Sequence, residues 1–169
     1  MATHSQFSIL NCKFPCAVLF AVLSLSLSPS AQTRQATQQQ LEATLAAAKR
    51  LKCAFQLEAT MTWKDGAPQG ELKPVTLIVQ FEDINADEST ARMLSNFGTY
   101  DMIVRLVGGS LHFIQSLRSG ALYTTTVFAK ENRPGRFKAV HSRHEYVEIV
   151  LPGFTSRPEQ YYGECEVVP

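Results

Sequence analysis

The sequence predicts a mainly β domain, an antiparallel meander of about eight strands forming a small curled sheet or a closed barrel, with one N-terminal helix. Three observations carry this. From Cys53 onward apolar residues recur at every second position, turn residues punctuate the chain at short intervals, and two cysteines, Cys53 and Cys165, stand in the first and last predicted strands.

The opening 31 residues stand apart from that domain. Met1–Lys13 is polar with a single positive charge, Cys16–Leu27 is an apolar run, and Ser28-Pro-Ser-Ala31 supplies small residues. This order predicts a signal peptide over 1–31, cleaved after Ser30 or Ala31. The run is 12 residues long, whereas a membrane span needs roughly 20, so an uncleaved anchor is the lesser alternative and the mature protein is expected to have no integral membrane segment. Neither Cys12 nor Cys16 ends an apolar run ahead of a mature domain, as a lipid-attachment cysteine would. The expected location is the periplasm or the medium outside the cell.

Export simplifies the cysteines. Cys12 and Cys16 leave with the signal, and the remaining pair, Cys53 and Cys165, predicts one disulfide in an oxidising compartment. There is no CxxC, and two cysteines do not make a four-ligand zinc site. No metal and no cofactor are expected.

Charge excludes several partners. Lys13 is the only basic residue before position 32 and the first acidic one is Glu42, so the mature chain carries 15 basic and 15 acidic side chains. A neutral balance argues against nucleic acid or an anionic membrane surface as the main partner. At 138 residues a single domain buries about two-thirds of its unfolded surface and is stable alone.

The elements follow in order. Residues 32–40 read as a glutamine-rich polar tail. Residues 41–52 read as a helix, with Leu41, Leu45, Ala48 and Leu51 at helical spacing and Lys49, Arg50 and Lys52 at the end where the dipole favours cations. The β domain then occupies 53–169. Cys53, Phe55, Leu57, Ala59, Met61 and Trp63 alternate with polar or small residues, the pattern of a half-buried strand facing inward with the apolar set. Asp65–Gly70 reads as a turn, and Val75, Leu77, Val79 and Phe81 mark a second strand. Further strands are expected over Thr90–Leu94, Tyr100–Val107, Leu111–Leu117, Leu122–Ala129, Phe137–Tyr146 and Tyr161–Val167. Asn96-Phe-Gly98, Gly108-Gly109, Ser119-Gly120 and Arg133-Pro-Gly135 punctuate them as hairpin turns. A Cys53–Cys165 bridge would hold the first and last strands side by side, which favours closure and removes two exposed edges.

The segments TARMLSNFGTYD, LHFI, TTTVFA, FKAVHSRH and QYYGEC, in that order between Thr90 and Cys165, resemble a family of short exported bacterial proteins of unknown function. The resemblance covers roughly the last half of the chain and departs from the family pattern between Glu145 and Pro158. It implies a bacterial periplasmic or secreted setting and no activity or catalytic residue.

The densest chemistry lies in Phe137–Tyr146, FKAVHSRHEY. Alternation along a strand separates its two histidines: His141 and Arg143 share the parity of Phe137 and Ala139 and point to the interior or its mouth, and His144 shares the parity of Lys138. One strand therefore cannot bring both histidines to one metal. Ser142 lacks the Gly-x-Ser-x-Gly elbow of a nucleophile, and the three threonines Thr124–Thr126 read as a solvated strand. Asp83-Ile-Asn85-Ala-Asp87 opens like a calcium loop, but Glu88 replaces the glycine and Leu94 the closing glutamate, so it reads as a solvated turn. Lys130–His144 is basic and Glu145–Pro169 acidic, which suits cross-strand charge pairing. An anion site would draw on Arg136, Lys138, His141 and Arg143, arginine being the best planar recogniser.

Three functional readings follow. The first is a module binding a small apolar or amphipathic ligand, or an anionic one at His141, Arg143 and Arg136, with Phe55, Trp63, Phe81, Phe113 and Phe128 lining a lumen. The second is an envelope interaction or structural protein with a filled core. The last is an enzyme using His141 and Arg143, although the sequence contains no triad, metal set or paired-carboxylate signal, and no catalytic residue is assigned.

Overall fold

A computed structural model of the chain describes residues 29–95, 98–118, 120–145 and 157–169. The expected signal segment up to residue 28, Asn96-Phe97, Ser119 and the stretch 146–156 lie outside the described residues. One helix, α1 (Pro29–Ala47), precedes eight strands: β1 (Leu51–Lys64), β2 (Ala67–Asn85), β3 (Thr90–Ser95), β4 (Gly98–Val107), β5 (Ser110–Ser116), β6 (Leu122–Arg133), β7 (Arg136–His144) and β8 (Glu159–Val167). Every strand pairs antiparallel with its successor, and β8 pairs with β1, closing a barrel.

The helix differs from its expected bounds. It runs through the segment 32–40, read above as a tail, because that segment contains neither glycine nor proline and its glutamines, Arg34 and Ala36 are good helix formers. It stops at Ala47, giving Leu51 and Lys52 to β1. Only its C-terminal part docks. Leu45 and the following Ala48 are buried, and Glu42 packs over Gly109 in the β4–β5 turn, where a Cβ would lie 2.5 Å from Glu42 Cγ. Among the described residues no helix is long and apolar enough to cross a membrane.

The β1–β2 turn is tighter than Asp65–Gly70. Asp65 and Gly66 both have positive φ, 54° and 79°, the geometry of a two-residue hairpin turn, so pairing resumes at Ala67 opposite Lys64. Gly108 and Gly109, with φ of 56° and 73°, make a second such turn.

The larger departure is a bulge in β1. Phe55 pairs with Gly163 of β8, but Leu57 pairs with Tyr162, so one extra β1 residue is inserted at Gln56. Beyond it every side chain changes face. Leu57, Met61 and Trp63, expected inside, are outside and exposed, Trp63 at 59%, whereas Glu58 and Thr60 are turned inward and buried. Gly163 accommodates the fold-over: a Cβ there would lie 2.1 Å from the Ala54 carbonyl oxygen and 2.6 Å from Phe55 Cα.

Below the bulge the core is apolar. Phe55, Phe81, Phe113 and Phe137 are fully buried, and Phe81 and Phe113 stack across the lumen with ring centroids 3.9 Å apart. Phe128, expected in the lumen, has the outward parity of its strand. Cys53 and Cys165 are register partners on β1 and β8, their Cα atoms 4.0 Å apart, and form a disulfide.

Closure is incomplete along one side. β3 pairs only with the Gln80–Asn85 part of β2, so Ala67–Val79 pairs with β1 alone. Pro68, Pro74 and Lys73 stand on this edge, residues that discourage further strand pairing.

Candidate functional site

Barrel register assembles a polar cluster at the end away from α1. One inward level runs Lys73, Glu58, Tyr161, His141, Thr125, Phe113 across six strands. The next level toward the mouth runs Thr60, Glu159, Arg143, Tyr123, Gln115. The level beneath, Phe55, Gly163, Ala139, Val127, Leu111, carries no polar side chain. The interior therefore passes from apolar to polar at the level of His141.

His141 is 2% exposed. Its Nδ1 lies 2.8 Å from the Thr125 hydroxyl, and its ring is packed among Phe55, Tyr161 and Tyr123 at centroid distances of 5.7, 5.8 and 6.5 Å. Burial, and then the nearby Arg143 charge, pull its pKa down to about 3. At neutral pH it is an uncharged imidazole held in place. Thr125 is fully buried rather than solvated, because its parity puts it inside opposite His141.

Arg143 is half-buried at the mouth. Its guanidinium carbon lies 5.2 Å from the Tyr161 ring centroid and 5.9 Å from that of Tyr123, within cation–π range of both rings. No carboxylate among the described residues lies within ion-pairing distance of it. The flanking tyrosines have other commitments. Tyr123 donates its hydroxyl to Glu145 Oε2 at 2.8 Å, and burial and that carboxylate push its pKa up to about 12. Tyr161 donates to Glu159 Oε2. Burial raises the pKa of the Glu159 carboxyl; the Tyr161 hydroxyl opposes the rise, and the charge of Glu58 adds to it.

Glu58 faces Lys73, whose Nζ lies 2.9 Å from its Oε1 in an ion pair. Gln115 is 7% exposed, and its Oε1 is buried without a hydrogen-bond partner among the described residues.

Of the residues singled out in the sequence, His141 and Arg143 come together on the inner face as their parity requires. Arg136 does not join them. It stands at the far end of β7, on the other parity, and its guanidinium binds Glu166 Oε2 at 2.6 Å. Arg133 similarly binds Glu164, so the basic and acidic C-terminal segments pair across strands. His144 is exposed on the outer face. In the calcium-like stretch Asp83 binds Arg92 and Asn85 Oδ1 accepts the Glu88 N–H, which ties both ligand-type residues into the turn. Among the described residues no group of three His, Cys, Asp or Glu is arranged to hold a metal.

Glu58, Thr60, Tyr123, Glu159, Tyr161 and Gln115 were not singled out in the sequence. Gln115 was readable, since it shares the parity of Leu111 and Phe113. Glu58 and Thr60 were hidden by the bulge, whose signals were Gly163 and Pro74 inside strands. Elsewhere a groove of about 390 Å³ separates α1 from the β4–β5 turn, bordered by Gln39, Glu42, Ala43 and Leu106, and gathers no cluster of charged or titratable groups.

Compared with protein-family models, with curated proteins and with solved structures, the chain matches none.

Proposed function

We propose that the protein is an exported binding module that holds a small ligand at the polar mouth of its barrel, with Arg143 as anchor for an anionic group. The carrying observation is the guanidinium held near the Tyr123 and Tyr161 rings with no ion pair among the described residues. Such a side chain is positioned before any ligand arrives, and its free N–H edge matches a carboxylate or phosphate. The lower lumen is a poor place for an apolar ligand, since phenylalanines fill it. A signal peptide over 1–31, the disulfide and the resemblance to exported bacterial proteins support a periplasmic or secreted location.

The test is a titration of the mature, oxidised chain with acetate and with inorganic phosphate, followed by the Arg143 Nε–Hε resonance in nuclear magnetic resonance. A saturable shift that Arg143→Gln abolishes is expected. No shift up to tens of millimolar of either anion would remove the reading. Native mass spectrometry of protein purified from its own envelope fraction would then show the bound species.

One observation favours a second reading, an envelope interaction or structural protein. The Phe81–Phe113 stack packs the lumen solid, as a scaffold for recognition by loops requires. Absence of any co-purifying small molecule, with a co-purifying protein instead, would select it.

A further inference from the structure

Two polar capacities are left unmatched on the inward level that holds Arg143. One is its own N–H edge. The other is the carbonyl oxygen of Gln115, which is buried and meets no donor among the described residues. A buried acceptor without a partner costs roughly as much as a lost hydrogen bond, so such groups are uncommon and call for an explanation. Neighbours on the level do not supply one. Tyr123, which lies between Gln115 and Arg143 in register, gives its hydroxyl to Glu145, and on the level beneath the Tyr161 hydroxyl goes to Glu159.

Register also sets the separation. Gln115 and Arg143 sit on β5 and β7 with only β6 between them, about 10 Å backbone to backbone at the usual strand spacing. Both residues have the inward parity of their strands, with Tyr123 between them in register. A ligand reaching both must be small and must carry a donor close to its anionic group.

We infer that the ligand is a carboxylate bearing an O–H or N–H donor on the neighbouring carbon, the carboxylate taken by Arg143 and the donor by Gln115 Oε1. This rests on the anion reading of Arg143 and sharpens it. A simple carboxylate satisfies Arg143 alone and leaves Gln115 orphaned.

The experiment titrates the mature oxidised chain with acetate, glycolate and glycine, reading the Arg143 Nε–Hε and the Gln115 side-chain amide resonances. Glycolate and glycine are expected to bind at least tenfold tighter than acetate and alone to shift the Gln115 amide. Gln115→Leu is expected to reduce both to the affinity of acetate while leaving acetate itself unchanged. Because leucine removes an unsatisfied buried group, this variant is expected to fold with stability equal to or above the parent, and Gln115→Met serves as a second unbranched replacement. Equal affinities for the three probes, with Arg143 still responding, overturn this inference and leave the anion reading standing. No response of Arg143 to any of these probes or to inorganic phosphate overturns both.

Discussion

Thr125 and His141 stand directly opposite on β6 and β7, and the threonine hydroxyl lies 2.8 Å from His141 Nδ1 inside the barrel. The pair marks the boundary between the phenylalanine core and the polar mouth, and it couples folding to protonation. The unfolded imidazole titrates near 6.5, whereas burial and Arg143 hold the folded one down to about 3. Between those values the unfolded chain takes up a proton that the folded chain refuses. The His141 contribution is therefore complete above about pH 6.5 and is lost as the pH falls toward about 3.

Denaturant midpoints are accordingly expected to fall between pH 6.5 and 4, and His141→Gln is expected to flatten that slope. Glu164, whose pKa the Arg133 hydrogen bond lowers, acts in the same direction. Glu159, whose pKa burial raises, acts in the opposite one, contributing stability below 4.5 that is lost as the pH rises through its folded value. A midpoint that is level over this range in both proteins would contradict the assignment. Thr125→Val, which orphans Nδ1, is expected to cost about 1–3 kcal/mol at pH 7, and Thr125→Ser less.

Gly163 gives a sharper steric test. An alanine methyl would meet the Ala54 carbonyl oxygen and Phe55 Cα at distances no backbone allows. Gly163→Ala is expected to destabilise by about 3 kcal/mol or more, or to prevent barrel closure. Gly70→Ala is the control. Its added carbon would meet the flexible Met61 Sδ at 3.0 Å, and thermal unfolding is expected to change by less than about 1 kcal/mol.

The bulge assigns faces, and substitution reads faces directly. Phe55→Ala is expected to cost about 3–5 kcal/mol. Met61→Gln, on the same strand and the same sequence parity, is expected to stay within about 0.5 kcal/mol, because the bulge has put Met61 outside. Comparable losses for both in urea titrations would mean an uninterrupted strand.

Removing the bridge by Cys53→Ser with Cys165→Ser is expected to lower stability by about 4–5 kcal/mol in the chain-entropy account, since the bridge closes a separation of 112 residues. The measurement is a guanidinium titration of the oxidised chain against this variant. A difference under about 1 kcal/mol would assign the pairing of β1 and β8 to the sheet alone.

How far the sequence carried depends on which physical rule governed each element. Period-two alternation found all eight strands, and cysteine placement found the closure, because both are local or countable. Parity placed His141 and Arg143 on the inner face, since β7 pairs with β8 without interruption. It failed on β1, where one inserted residue reversed every later side chain and moved Trp63 out and Glu58 in. Alternation is blind to such an insertion, because both faces of β1 still alternate cleanly. Arg136 was grouped with His141 by nearness in sequence, yet the length of β7 separates them and Glu166 claims it.

The order of strands in the ring has a consequence for how the chain reaches it. Seven of the eight strand pairings join neighbours in sequence, and the remaining one joins the first strand to the last. Hairpins close early because their loops are short, whereas the β1–β8 ladder must wait until the whole chain is present and carries the largest entropic cost. Ring formation is thus a late event in folding, and Cys53 and Cys165 occupy a register pair of that final ladder. Their oxidation acts as a latch that engages only on a finished molecule: a chain lacking its last strand keeps a free thiol at Cys53.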